Sequence, residues 1–208
     1  MSEQFASVEE YIADLQAKLE QAPQCAAHHY NLGVAYLAKR KFDKAEEAFY
    51  KALECAPTMV EAYVQLGGVA MQRGDLQACL NLNTKASELS PFFAVPFGNI
   101  GFVYMQAGDH AKAIPALKKA IKLDANFVQA HATLASALFM SGDLEGCIAA
   151  GTKAVEIEPM FGPAYNNLAL AYLEQGEFAK AVECADKALS TGFEDNPKLL
   201  EELAAHRG

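Results

Sequence analysis

Proline returns in this sequence at Pro23, Pro57, Pro91 and Pro159, at intervals of 34, 34 and 68 residues, and Ala125 stands where the series skips a member. A fixed period of that length constrains the fold more than any other feature, because each period must form one unit that buries its apolar face on its neighbours. Further columns keep the same step. Small residues follow an aliphatic one at Leu32-Gly33, Leu66-Gly67, Ile100-Gly101, Leu134-Ala135 and Leu168-Ala169. Alanine recurs at Ala52, Ala86, Ala120, Ala154 and Ala188, and small residues recur at Ala45, Cys79, Ala113, Cys147 and Ala181. The turn column reads Arg40, Gly74, Gly108, Gly142 and Gly176.

Within one period, Tyr63, Leu66, Gly67 and Ala70 recur at helical spacing, a Gly-Asp turn follows, and a second periodic stretch runs to Leu89 before Pro91. Each unit is therefore predicted to be two antiparallel helices. The turn glycine supplies a left-handed helix end, the acidic residue behind it suits the positive end of the next helix, and the proline stops the second helix. This pattern, 34 residues with Leu-Gly, then Tyr36, Tyr104 or Tyr172, then Ala, Ala and Pro, resembles the tetratricopeptide repeat. The resemblance implies an all-α, right-handed superhelical solenoid (an α-α superhelix). It spans 26–193 as five tandem units, approximately 26–59, 60–93, 94–127, 128–161 and 162–195. The flanks read as helical caps at both ends. Residues 1–24 hold a lone helix opened by a Ser7…Glu10 capping box, and 196–208 a short helix begun by Pro197. Asn83, Leu117, Gly151 and Ala185 replace the aromatic kept at Phe49, and His29 and His131 replace that kept at Tyr63, Phe97 and Tyr165, which predicts locally weaker packing.

The 26 acidic against 17 basic residues leave a net charge of −9, which repels a phosphate backbone and argues against nucleic acid as a partner. The five cysteines are odd in number and lack paired spacing, and nothing at the start reads as a signal peptide, so a reducing cytoplasm is the expected location. The longest uncharged stretch, 89–108, is interrupted by Pro91, Pro96, Gly98 and Gly101, so membrane insertion is not expected.

Stacked helix pairs leave one surface lined by the first helices. The first helices at 94–107 and 128–140 carry no formal charge, whereas Lys41, Asp43, Lys44, Glu46, Glu47 and Lys51 crowd one second helix. The family resemblance implies that the inner surface holds a segment of a partner protein. Helical register places Val34, Val64, Met71, Val95, Phe102, Met105, Ser136, Phe139, Asn166 and Leu170 in that groove. A polar column of Asn31, Gln65, Asn99, Thr133 and Asn167 runs beside them. It is similar to the asparagine ladder of arrays that precede sugar-transferase domains, and such amides can bond the main chain of an extended peptide. The cationic clamp by which other members hold Hsp70 or Hsp90 tails is absent. Its matching positions hold Tyr30, Val34, Gln65, Val95 and Asn99.

No sequence pattern points to catalysis, a cofactor or a nucleotide. Cys25, His28 and His29 lack a second ligand pair, so no metal site is expected, and Cys79 and Cys147 fall in the small buried column. The expected function is a non-enzymatic scaffold or adaptor that binds a protein or peptide partner in an apolar groove. The alternatives are a self-associating assembly scaffold, hence a homo-oligomer, and an assembly chaperone for a cytoplasmic enzyme complex.

Overall fold

A computed structural model describes residues 7–193 and 197–206. Parts of the terminal segments expected above, residues 1–6, 194–196 and 207–208, lie outside the described residues. All regular structure among the described residues is α-helical. The chain divides into two compact units between Pro91 and Phe92.

The first unit contains α1 (Val8–Gln21), α2 (Ala26–Ala38), α3 (Phe42–Cys55), α4 (Val60–Gln72) and α5 (Leu76–Leu89). Ser7 caps α1 by accepting the Glu10 N–H at 3.2 Å. α2 and α3 form one hairpin and α4 and α5 the next, with α1 against α2 and α3 against α4. The core is built from Leu15, Leu32, Tyr36, Phe49, Leu66 and Val69.

The second unit contains α6 (Ala94–Gln106), α7 (His110–Leu123), α8 (Val128–Met140), α9 (Leu144–Ile157), α10 (Gly162–Glu174), α11 (Phe178–Ser190) and α12 (Pro197–Ala204). Its hairpins are α6–α7, α8–α9 and α10–α11; α8 packs on both α6 and α10, and α12 packs on α11. α7 runs unbroken through Pro115. Phe97, Leu117, Leu134 and Leu138 fill the centre, and Leu199 and Leu203 of α12 close the far end against Ala169, Ala181 and Ala185.

The turn after each first helix closes by one backbone device. The turn residue adopts positive φ, and the next residue donates its N–H to a carbonyl five positions back, as in Asp75 to Ala70 and Asp109 to Tyr104, both 2.9 Å. Asp75, Asp109 and Asp143 then accept the N–H of Ala78, Lys112 and Gly146, capping α5, α7 and α9.

Two columns read as local weakness prove to be fitted. A Cβ on Gly33 would sit 2.5 Å from the Phe49 ring, and one on Gly101 2.5 Å from Leu117, so the glycine of one helix is the socket for the large residue of the other. Where that residue shrinks to Ala185, the socket is filled by buried Ala169 instead. Asn83 is buried but donates to the Cys79 carbonyl at 2.9 Å. His29, Tyr63 and His131 each bond the carbonyl six residues earlier, at Pro23, Pro57 and Ala125, over 2.8, 3.2 and 3.0 Å. These contacts tie each preceding loop to its first helix.

Candidate functional site

The second unit carries an open trough of about 380 Å³. α6 contributes Phe102, Met105 and Gln106; α8 contributes Gln129, Ala132, Thr133 and Ser136; α10 contributes Pro163, Asn166 and Asn167. Phe161, just before α10, and Phe193, after α11, close its end. No side chain in this wall carries a formal charge. The helices present these residues because their opposite faces are consumed by the core: Val103, Leu134 and Leu168 are buried on the same three helices.

The polar groups of the wall differ in what they have left to offer. Asn167 donates its amide to the Ala132 carbonyl at 2.9 Å, which pins α10 to α8. Thr133 turns its hydroxyl onto the Gln129 carbonyl of its own helix at 2.7 Å. The Asn166 Oδ1 is buried and accepts no hydrogen bond from the protein. A buried acceptor without a donor is costly, and a main-chain N–H entering the trough would supply one.

Of the groove residues expected from sequence, Phe102, Met105, Ser136, Asn166 and Asn167 line this trough. Phe139 lies outside that lining; like Met105 it packs, half-buried, against the core around α8. Leu170 packs, half-buried, against the cluster of Ala169, Ala181, Ala185, Leu199 and Leu203. Val95 and Asn99 are half-buried on α6 outside the trough lining, and Asn99 has an interaction of its own. In the first unit, Asn31, Val64, Gln65 and Met71 are half-buried and Val34 is 39% exposed. The sequence reading missed Gln106, Gln129, Phe161, Pro163 and Phe193. For Phe161 a signal existed, since Phe93, Phe127 and Phe161 are spaced by 34 residues.

The first unit has a larger furrow of about 630 Å³ between α1 and α3, floored by Leu32 and Tyr36. Several of its polar groups are bonded within the protein: Lys51 meets Glu47 at 2.7 Å, Gln16 meets the Tyr36 hydroxyl at 3.3 Å, and His29 is held by the Pro23 carbonyl. The trough differs from this furrow in holding a buried acceptor without a donor.

All five cysteines are free thiols. Burial pushes the Cys147 thiol up to about 12, with Asp143 adding to the effect, and burial with Glu183 pushes Cys184 up to about 11. Burial likewise raises Cys79. These groups stay protonated near neutral pH and are poor nucleophiles. Among the described residues no three His, Cys, Asp or Glu side chains converge as a metal would need, and no helix is long and apolar enough to cross a membrane.

Two sequence models of the tetratricopeptide repeat match the chain, one at residues 26–59 and 162–191, the other at 104–150, together more than half of its length. No curated protein matches it. Among solved structures, a crystal structure of MamA is 28% identical over 77% of this chain and 94% of its own, with a TM-score of 0.67. YrrB, described as a tetratricopeptide-repeat protein with an unusual peptide-binding site, is 21% identical over 93% of this chain and 98% of its own, at 0.70. PilF of Pseudomonas aeruginosa is 18% identical over 87% and 83%, at 0.77. The all-α repeat fold expected from the 34-residue period is the fold these proteins share.

Proposed function

Because this chain belongs to the tetratricopeptide-repeat family, we propose that it is a non-enzymatic interaction scaffold that captures an extended, uncharged segment of a partner protein in the trough between α6, α8 and α10. The observation that carries this reading is the lining itself: aromatic and aliphatic side chains interleaved with neutral amides, one of which has a buried oxygen without a donor. Phe102, Phe161 and Phe193 would bury an apolar side chain of the segment, and the Asn166 oxygen would accept a main-chain N–H, so that affinity comes from desolvation and register from the amide. The absence of charge selects against acidic or basic segments, whose desolvation nothing in the wall would offset. YrrB, of the same fold, is described as having a peptide-binding site.

The same proposal takes five helix pairs, 26–193, as one array between terminal helices, and places the protein in the cytoplasm, where its five free thiols are compatible with reducing conditions. Selecting peptides from a random displayed library against the purified protein tests the trough. Selected peptides should be poor in charge, and Phe102→Asp should weaken their binding by about 30-fold or more while helicity is kept. Peptides that bind this variant as well as the parent would remove the trough from the mechanism. Light scattering that shows a dimer dissolved by Phe102→Asp would reassign the occupant to a second copy of the chain.

A further inference from the structure

The first hairpin turn breaks the chemistry of all the others. Elsewhere the turn reads Gly74-Asp75, Gly108-Asp109, Gly142-Asp143 and Gly176-Glu177; here it reads Arg40-Lys41. The backbone is the same, with the Arg40 N–H on the Leu37 carbonyl at 2.8 Å and the Lys41 N–H on the Tyr36 carbonyl at 2.9 Å. Arg40 is therefore forced to a φ of 54°, and among the described residues it is the only non-glycine at positive φ. Lys41 stands at the N-terminus of α3, where no side chain caps the helix and where a cation opposes the helix dipole. Each choice works against local stability, and a residue held where it is strained points to a role outside folding.

The surroundings keep this charge exposed. Arg73, at the end of α4, bonds Asp43 at 2.6 Å and Glu46 at 2.7 Å and so occupies the two acidic side chains nearest the turn on α3. Lys44 lies over the Tyr36 ring, 5.8 Å from its centre. Among the described residues no carboxylate lies within ion-pair distance of Arg40, Lys41 or Lys44; Glu9 feels Lys41 and Glu47 feels Lys44 only at longer range, and each is bonded to another lysine, Lys39 and Lys51. Arg40, Lys41 and Lys44, with Phe42, Asp43 and Arg73, line a pocket of about 440 Å³; Arg73 is already paired with Asp43 and Glu46, so the first three are the cations the pocket offers, in a protein whose net charge is −9.

We propose that this basin is a second interaction site, separate from the trough, that binds a short acidic segment of a partner polypeptide. Arg40 would grip a carboxylate through two parallel hydrogen bonds, and Lys41 and Lys44 would neutralise its neighbours. The net charge sets the size of the ligand. A long polyanion such as nucleic acid, or an anionic membrane, would meet the acidic remainder of the protein. A short segment stays within about one Debye length, roughly 8 Å, of the cations.

The test is fluorescence anisotropy of a labelled eight-residue peptide of Glu and Asp with the full chain, at physiological salt. The variant Arg40→Gly/Lys41→Asp rebuilds the turn of the other hairpins and should melt no lower than the parent. Binding to the parent, weakened at least tenfold in that variant, is the expected result. Lys118→Gln/Lys122→Gln, which removes two exposed lysines of α7, should change binding less than twofold, and Phe102→Asp should leave it unaltered, which keeps this site distinguishable from the trough. The proposal is overturned if the parent does not bind the peptide, if the rebuilt turn binds it equally well, or if the α7 variant loses as much. A single-stranded DNA octamer that binds more tightly than the peptide through the same two residues would overturn the choice of ligand.

Discussion

The trough of the second unit and the basin of the first are built on the same hairpin, yet one wall holds no ionisable side chain and the other holds five. The hairpin supplies only backbone and spacing. Chemistry is added mostly where the core leaves side chains accessible: on α6, α8 and α10 in one case, and at a turn in the other. A neutral wall gains affinity by excluding water and matching hydrogen bonds, so it discriminates by shape. A charged turn acts over a longer range and is screened by salt.

The largest separation of the two sites should come from Phe102→Asp. A charge in the centre of the trough should weaken trough peptides by about 30-fold or more, on the scale of a lost hot spot, with the basin unaffected; calorimetric titration of both ligands checks this. Next, stability should respond with opposite signs to backbone changes in the two units. Gly101→Ala places a methyl against Leu117 under the trough and should cost about 2 kcal/mol in urea unfolding. Arg40→Gly relieves a left-handed side chain and should add about 1 kcal/mol.

Salt should separate them further. Between about 0.05 and about 0.5 M, acidic-peptide binding should fall about tenfold while trough binding changes little. A trough ligand with the same salt dependence would mean that the neutral wall is not what binds it.

The smallest effect concerns the helix starts. Asp109 is held below the usual carboxylate range by its hydrogen bonds with Lys112, side chain first and then backbone, whereas α3 begins on Lys41. A carboxylate with a depressed folded pKa contributes its full stabilisation above the unfolded pKa and loses it as pH falls through the folded value. Hydrogen exchange at the Lys112 amide should therefore lose protection on acidification from about pH 6 to about pH 3, and Asp109→Asn should remove that pH dependence. The first turn of α3 has no equivalent cap to lose.

Much of the architecture could be read in advance from the period. Gly33 facing Phe49 and Gly101 facing Leu117 are legible because socket and filler recur in separate columns at the same step. The turn glycines are legible because the left-handed helix end excludes most side chains, and Arg40 stands out for the same reason. The candidate site was legible only in part. Phe102, Met105, Ser136 and Asn166 follow from helical register and line the trough, whereas Phe139 and Leu170, from the same register, are half-buried against neighbouring core clusters and outside its lining.

The amide column shows where linear reasoning stops. Repetition marks Asn167 and passes over its neighbour Asn166, yet Asn167 spends its donor on Ala132, 35 residues earlier, and Asn166 keeps the unanswered oxygen. Arg73 likewise takes up Asp43 and Glu46 from 30 and 27 residues away, and so withdraws the two carboxylates at the start of α3 from Arg40 and Lys41. A 34-residue period with helical spacing inside it dictates which residues form helices, where those helices stop and which face each must bury, since these depend on backbone conformation and nearby side chains. Which of the remaining polar groups are spent and which are left for a partner depends on atoms brought together from distant turns, and that is settled only when the helices pack.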